Sequence, residues 1–441
     1  MAGSSYLLLP ISSLFTQEVY YSVETIQIAV QQVVRCGNSY RGVEKTFELY
    51  KELLAEAPSF SSIRKWLVRL GLYELNREKE RRDDWIFIVD LTVELGTEKG
   101  LVVLGVSQQL LEQVIFPSRR GLQHQDVQIL AVEILRSTKG EVIEQKLTEI
   151  TQKFGRPKQI IADRGSDIQR GIKLYKQNYP DVIYTYDVTH AMALFLKHEL
   201  SNCEKYQSFI QQCNQCRKQL QQTELSFLAP PSQRSQCRYF NVEKLLGWAE
   251  NLLNSPLDIL ANLVPIEPNI LNSKLKDKFA WLASYQDELR HWKQMVKMTR
   301  TVETHIKRSG LNQEISSLIQ QHLTVEAISL EGFSQKILEY LRQETSQIQP
   351  GQTLLMTSDV LESLFGKSKQ FLSRSPQKQI GQTFLSICLS TMNLTTLVVK
   401  EALETVRFLD VEDWSAQVFG QPILSKRKIV FSASTDDTET A

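Results

Sequence analysis

Strand-forming sequence in this chain of 441 residues is confined to one stretch, and that confinement limits the fold more than any other feature. It starts at Asp84 with the β-branched runs "WIFIVDLTVEL" and "LVVLGVS", split by "GTEKG", a hairpin signal. "DVQILAVEIL" follows as a third strand, then "QIIA" ending at Asp163, then "DVIYTYDV". Helical patterns over 141–154, 166–178 and 189–200 alternate with the later strands. Three strands in a meander followed by strand–helix alternation predict an α/β domain with a mixed sheet (α+β in texture) and helices on its faces.

The flanking sequence is helical. Residues 17–82 hold "YRGVEKTFELYKELL" and, after a Pro/Ser turn with N-cap serines, "APSFSSIRKWLVRLGLYEL". The second helix carries Arg64, Lys65 and Arg69, so the pair suits a helix-turn-helix that meets DNA; a plain helical hairpin with solvated charges has the same pattern. Residues 201–350 have no strand character and are rich in Gln, Leu and Lys, so a long helical block interrupts the α/β domain. The expected division is 1–83 helical and DNA-binding, 84–200 the first part of a catalytic domain, 201–350 an all-helical insertion, 351–408 the rest of the catalytic domain, and 409–441 a terminal segment with the acidic tail "STDDTETA".

Composition excludes some function classes. Lys and Arg number 51 against 50 Asp and Glu, so no global field draws the chain to nucleic acid or anionic lipid, and any such binding uses local patches. The first residues lack the basic region and long apolar core of a secretory signal, so six cysteines are expected in a reducing cytosol, nucleoid-associated in a bacterium. "IGQTFLSICLSTMNLTTLVV" is uncharged but too polar for a lipid-facing span, and reads as one buried helix; no membrane partner is expected. Cys213-x-x-Cys216 lies in continuous helical pattern with no familiar zinc spacing around it.

Two acids stand where neighbours want burial. Asp90 lies inside "IFIVDLTV" and Asp163 ends a later strand; where those strands adjoin, the carboxylates converge. A third acid, Glu362 in "SDVLESLFGKSK", opens a helix, with Lys369 two turns further on the same face. Three carboxylates around one point need cations between them, hard oxygen ligands select Mg²⁺ or Mn²⁺, and a pair of such ions serves in-line phosphoryl displacement. Lys369 and Arg164 are placed to hold a phosphate. Each acid also has a plainer reading: "DRGSD" is rich in turn formers, and Asp359-x-x-Glu362 has capping-box spacing. Glu94 and Asp167 are reserve acids.

In this order, "VDLT", "IIADRGSDI" and "SDVLESLFGKSK", with the helical block before the Glu, resemble the DDE transposases of the RNase H-like superfamily over roughly residues 40–400. "YDVTHAMALF" adds Asp187-x-x-His190, similar to the Cys/Asp-x-x-His element of hAT-like and Mutator-like members; the same residues also suit a helix N-cap and a core histidine. Members with a Tyr-x-x-Arg element would carry it at 355 and 358, where this chain has Leu355 and Ser358. The resemblance implies an RNase H-like domain interrupted by an all-α insertion and preceded by a DNA-binding domain. It implies two Mg²⁺ (or Mn²⁺) ions on Asp90, Asp163 and Glu362, and His190 and Asp187 near substrate phosphate. DNA contacts fall to Arg64 and Lys65, and Trp248, Trp281 or Trp292 to a flipped base. The implied activity is cleavage at transposon ends and transfer of the 3′-OH to target DNA. The partners are terminal inverted repeats and target DNA, and pairing two ends calls for a homodimer or larger. A nuclease of the same fold that never joins strands, and an inactive transposase-derived DNA-binding protein, are the alternatives.

Overall fold

The computed structural model describes residues 21–54, 56–91, 99–232, 238–254, 263–264, 266–326, 330–373, 381–420 and 423–433. The "GTEKG" turn in large part, Glu94 and the acidic tail lie outside them. Two compact units form: 1–115, 121–184 and 358–441 make the first, and 116–120 with 185–357 the second. The units divide at 184/185 and 357/358, where texture had set 200/201 and 350/351, and the first unit is made of segments before and after the second.

The first unit begins with α1 (Val23–Val34), α2 (Tyr40–Leu49) and α3 (Phe60–Asn76). Each starts at a serine whose side chain accepts a backbone N–H: Ser22 from Thr25, Ser39 from Gly42 and Ser59 from Ser62. The turn between α2 and α3 is the Pro/Ser turn read in the sequence.

Next come β1 (Trp85–Leu91), β2 (Lys99–Ser107), β3 (Gln128–Leu135), α4 (Gly140–Phe154), β4 (Gln159–Ala162), α5 (Ser166–Asn178) and β5 (Ile183–Tyr186). The last of these lies across the 184/185 division. The five-stranded sheet has the order β3-β2-β1-β4-β5. The meander pairs antiparallel, β1 with β2 and β2 with β3, and β1 pairs parallel with β4. Mixed α/β architecture is thus what the sequence texture predicts. On one face, Trp85, Phe87 and Val89 of β1 and Ile160 and Ala162 of β4 pack with Ile143, Leu147 and Phe154 of α4 and Ile168, Ile172 and Tyr175 of α5.

In the second unit, α6 (Val188–Ser201), α7 (Glu204–Leu220), α8 (Arg238–Leu253), α9 (Pro268–Phe279), α10 (Gln286–Ser309), α11 (Gln313–Glu326) and α12 (Glu331–Thr345) form an all-helical body. Its centre is aromatic: Phe209 meets Trp281, Tyr285 and Trp292 with ring centroids 5.4–5.9 Å apart. Trp292 is buried, and the half-buried Trp248 and Trp281 donate their indole N–H groups to the Leu228 and Lys278 carbonyls. Cys213 and Cys216 are buried on α7 as free thiols, and burial pushes the Cys216 thiol up to about 11, so both act as small apolar groups. The chain enters and leaves this unit side by side, Val188 N–H donating to the Met356 carbonyl at 2.8 Å.

The chain re-enters the first unit through α13 (Asp359–Ser373), and ends in α14 (Thr396–Thr405), α15 (Phe408–Phe419) and α16 (Ile423–Ala433). The uncharged stretch 380–399 is not the single helix expected. It forms a 3-10 turn at Gln382–Leu385, a short helix at Ser386–Leu389, a loop, and the start of α14. Thr395 accepts the Val398 N–H as an N-cap and so starts a new helix where the pattern had read a continuing one. No helix among the described residues is long and apolar enough to cross a membrane. Leu385, Leu389, Leu394, Val399, Leu403 and Val411 complete one apolar cluster with α1, α2 and α3, so residues before the sheet and residues at the far end share a core.

Candidate functional site

The register of β1 against β4 decides where the two strand acids stand. Ile86 faces Gln159 and Val89 faces Ala162, so Asp90 and Asp163 are each the next residue beyond the last parallel pair. Neighbouring strands run about 4.8 Å apart. Val89 and Ala162 point into the core formed with α4 and α5; by the period of two, Asp90 and Asp163 both point to the opposite face. The acids, far apart in sequence, therefore stand side by side at the carboxyl ends of two adjacent parallel strands, on one face of the sheet.

Each carboxylate has local partners. Asp90 Oδ1 accepts the Leu91 N–H at 2.7 Å, and Asp163 Oδ1 accepts the Gly165 N–H at 3.0 Å. Tyr184 of β5 donates its hydroxyl to the Asp163 carbonyl at 2.9 Å, which fixes the backbone there from the neighbouring strand. The turn-forming role read for Asp163 is thus present, and it leaves the carboxylate half-exposed. Arg164 beside it is exposed.

Glu362 lies in the first turns of α13, exposed, with Lys369 exposed on the same helix. That helix packs against β1. The capping-box reading of Glu362 does not fit the helix register. With Asp359 as the first helical residue the N-cap falls on Ser358, whose carbonyl accepts the Leu361 and Glu362 N–H groups, and the third position is Leu361. Among the described residues no three Asp, Glu, His or Cys side chains are gathered tightly enough to hold a metal ion. The fit to Mg²⁺ or Mn²⁺ is therefore good in donor chemistry, two hard carboxylates side by side, and incomplete in number. Of the reserve acids, Asp167 accepts the Thr138 hydroxyl at 2.7 Å at the start of α5.

Asp187 and His190 belong to the second unit. Asp187 is fully buried as the N-cap of α6; its Oδ1 accepts the His190 N–H at 2.9 Å and lies 3.0 Å from His190 Nδ1. The N-cap reading is realised, but the histidine side chain is 40% exposed and so is not a core residue. Thr189 donates to Glu303 at 3.2 Å, and Glu303 is held by Arg300 and Lys307, so the start of α6 is anchored to α10 by a buried acid.

On α3, Arg64 and Lys65 are exposed near the N-terminal end, Arg64 donating to Gln382 Oε1 at 3.2 Å and Lys65 lying over the Phe408 ring. Arg69 differs from the expectation of a solvated charge. It is buried and donates to the Val406 and Leu403 carbonyls at 2.6 and 2.5 Å, closing the C-terminal end of α14. From Trp66 to Glu74 every residue of α3 is buried, so only its first turns are open to a DNA partner.

One feature escaped the sequence reading. His124, in a short turn ahead of β3, has Nδ1 3.2 Å from Lys367 Nζ on α13. Lys367 lies within "SDVLESLFGKSK" but was given no role there, His124 lies in no motif, and only the long-range contact reveals the pair.

No protein-family profile matches the sequence, and no curated protein does. Among solved structures the chain is similar to one described as a Drosophila P element transposase strand transfer complex, with 12% identity and a TM-score of 0.42, over 89% of this chain and 94% of that one.

Proposed function

We propose that the chain is a DNA strand-processing enzyme of the transposase kind, cutting at the ends of a mobile element and directing the freed 3′-OH at target DNA. The observation that carries this reading is the position of Asp90 and Asp163 just beyond the last pair of two adjacent parallel strands, with α13 packed against β1. Carboxylates at neighbouring strand ends suit a shared hard cation, which is the use this reading gives them. Mg²⁺ or Mn²⁺ held by Asp90 and Asp163, with Glu362 as the further ligand, would supply charge neutralisation at the scissile phosphate. The chain's own part is positioning. The β1–β4 register fixes two of the acids, Arg164 and Lys369 offer cationic groups to flanking phosphates, and Arg64 and Lys65 meet DNA outside the site.

Asp90→Asn or Asp163→Asn is expected to abolish Mg²⁺-dependent cleavage of end-containing DNA, by a factor of at least about 10³, with DNA binding retained. Wild-type cleavage in either variant refutes the assignment. A strand-transfer assay separates a transposase from a nuclease, since only the former gives joined product. The absence of a gathered three-acid cluster among the described residues favours a second reading, an inactive DNA-binding descendant. That reading requires the unaltered chain to bind DNA and Mg²⁺ without cutting.

A further inference from the structure

The first unit contains a cavity of about 880 Å³ beside α13, within the size range of ligand sites. One wall is a face of that helix: Asp359, Ser363 and Lys367 follow at four-residue steps, next to the face that carries Glu362. The opposite walls come from Arg35 at the end of α1, from the turn holding His124, and from the loop after Leu389. Its lining is mixed in a particular way. Three basic side chains, Arg35, His124 and Lys367, meet a single carboxylate, Asp359, while Val34, Val360, Leu389 and Met392 make an apolar floor.

The donor state of His124 follows from its contact. Lys367 Nζ has only hydrogens to offer, so His124 Nδ1 accepts and the ring proton sits on Nε2. Among the described residues that Nε2 is buried and has no hydrogen-bond partner. Burial and the Lys367 charge hold the imidazole below its ordinary pKa, so it stays a neutral donor near pH 7.

We propose that this cavity binds a nucleotide unit, its phosphate taken by Lys367 and Arg35 beside the His124 ring, and its base laid against Val34, Val360 and Leu389. The inference rests on the reading of the chain as a DNA strand-processing enzyme. It assigns the cavity next to the Glu362 face as the seat of a nucleotide flanking the cut. A phosphate with an apolar body can come from a DNA strand or from a free nucleoside phosphate, and the two are told apart by the probe.

The test is binding, followed on the full chain with ¹³C-labelled histidine and the His124 signal identified by its loss in His124→Gln. The probes are a thymidine dinucleotide, thymidine monophosphate and inorganic phosphate. The expected result is an upward move of the His124 titration midpoint with dinucleotide or monophosphate. Binding should weaken about tenfold or more in Lys367→Gln and in Arg35→Gln, and tighten in Asp359→Asn. A response to the dinucleotide places a strand in the cavity, and a response to the monophosphate alone places a free nucleotide there. The proposal is overturned by a silent His124, by unchanged affinity in Lys367→Gln, or by inorganic phosphate binding as well as the nucleotides. Because cleavage is not the readout, a silent His124 alongside loss of cleavage in Asp90→Asn removes the cavity and leaves the enzyme. The reverse pair of results removes the enzyme and leaves the cavity.

Discussion

Lys79 shows how much a single side chain can be asked to tolerate in this fold. It is only 7% exposed, donates to the Glu74 carbonyl at 2.6 Å beyond the end of α3, and burial lowers its pKa from 10.5 to about 8. Glu74 beside it is buried too and is paired with Arg77. The unfolded chain keeps the lysine proton up to about pH 10.5 whereas the folded chain releases it near 8. Between those values the unfolded state binds more protons, and this group makes stability rise with pH, by up to about 3 kcal/mol. Denaturant melts between pH 7.5 and 9.5 should show that rise in the unaltered chain and lose it in Lys79→Met.

At the scale of elements, α3 divides into two parts with different work. Its first turns expose Arg64 and Lys65, and the remainder is the buried axis around which α1, α2, α14 and α15 pack. Arg69→Ala is expected to lower stability by about 3 kcal/mol, because two helix-end carbonyls lose a charged donor, while the salt dependence of DNA binding stays the same. Arg64→Ala with Lys65→Ala is expected to do the opposite, leaving the unfolding midpoint unchanged and flattening the slope of log affinity against log salt by roughly 1–2. An unchanged slope moves the DNA-binding surface elsewhere. Paired urea-melt and salt-titration series check both expectations.

On the scale of the whole molecule, the second unit is closed upon itself. Val188 and Met356 are hydrogen-bonded at its entry and exit, and Thr185 donates to the Leu355 carbonyl at 3.2 Å. Replacing Val188–Met356 by a short Gly/Ser linker should therefore leave a folded first unit, seen as retained cooperative unfolding with the insertion's Trp248, Trp281 and Trp292 signals gone. Removing residues 381–420 should instead abolish cooperative unfolding, since Leu385, Leu389, Val399, Leu403 and Val411 would be missing from the core around α1, α2 and α3.

What the residues alone determined is local. β-Branched runs specified the five strands, the serines of the Pro/Ser turn the start of α3, and the spacing of Glu362 and Lys369 their shared helix. These follow from side-chain period and from groups a few positions apart. The tertiary structure alone decided what depends on pairing across the chain. It set β1 beside β4 so that Asp90 and Asp163 follow the last pair of adjacent strands, drew the helices before the sheet and residues 385–411 into one core, turned Arg69 inward to close α14, and put His124 against Lys367. A charged or titratable side chain reads the same in sequence whether water or a carbonyl receives it. Only the fold chooses, because the cost of burial depends on partners hundreds of residues away.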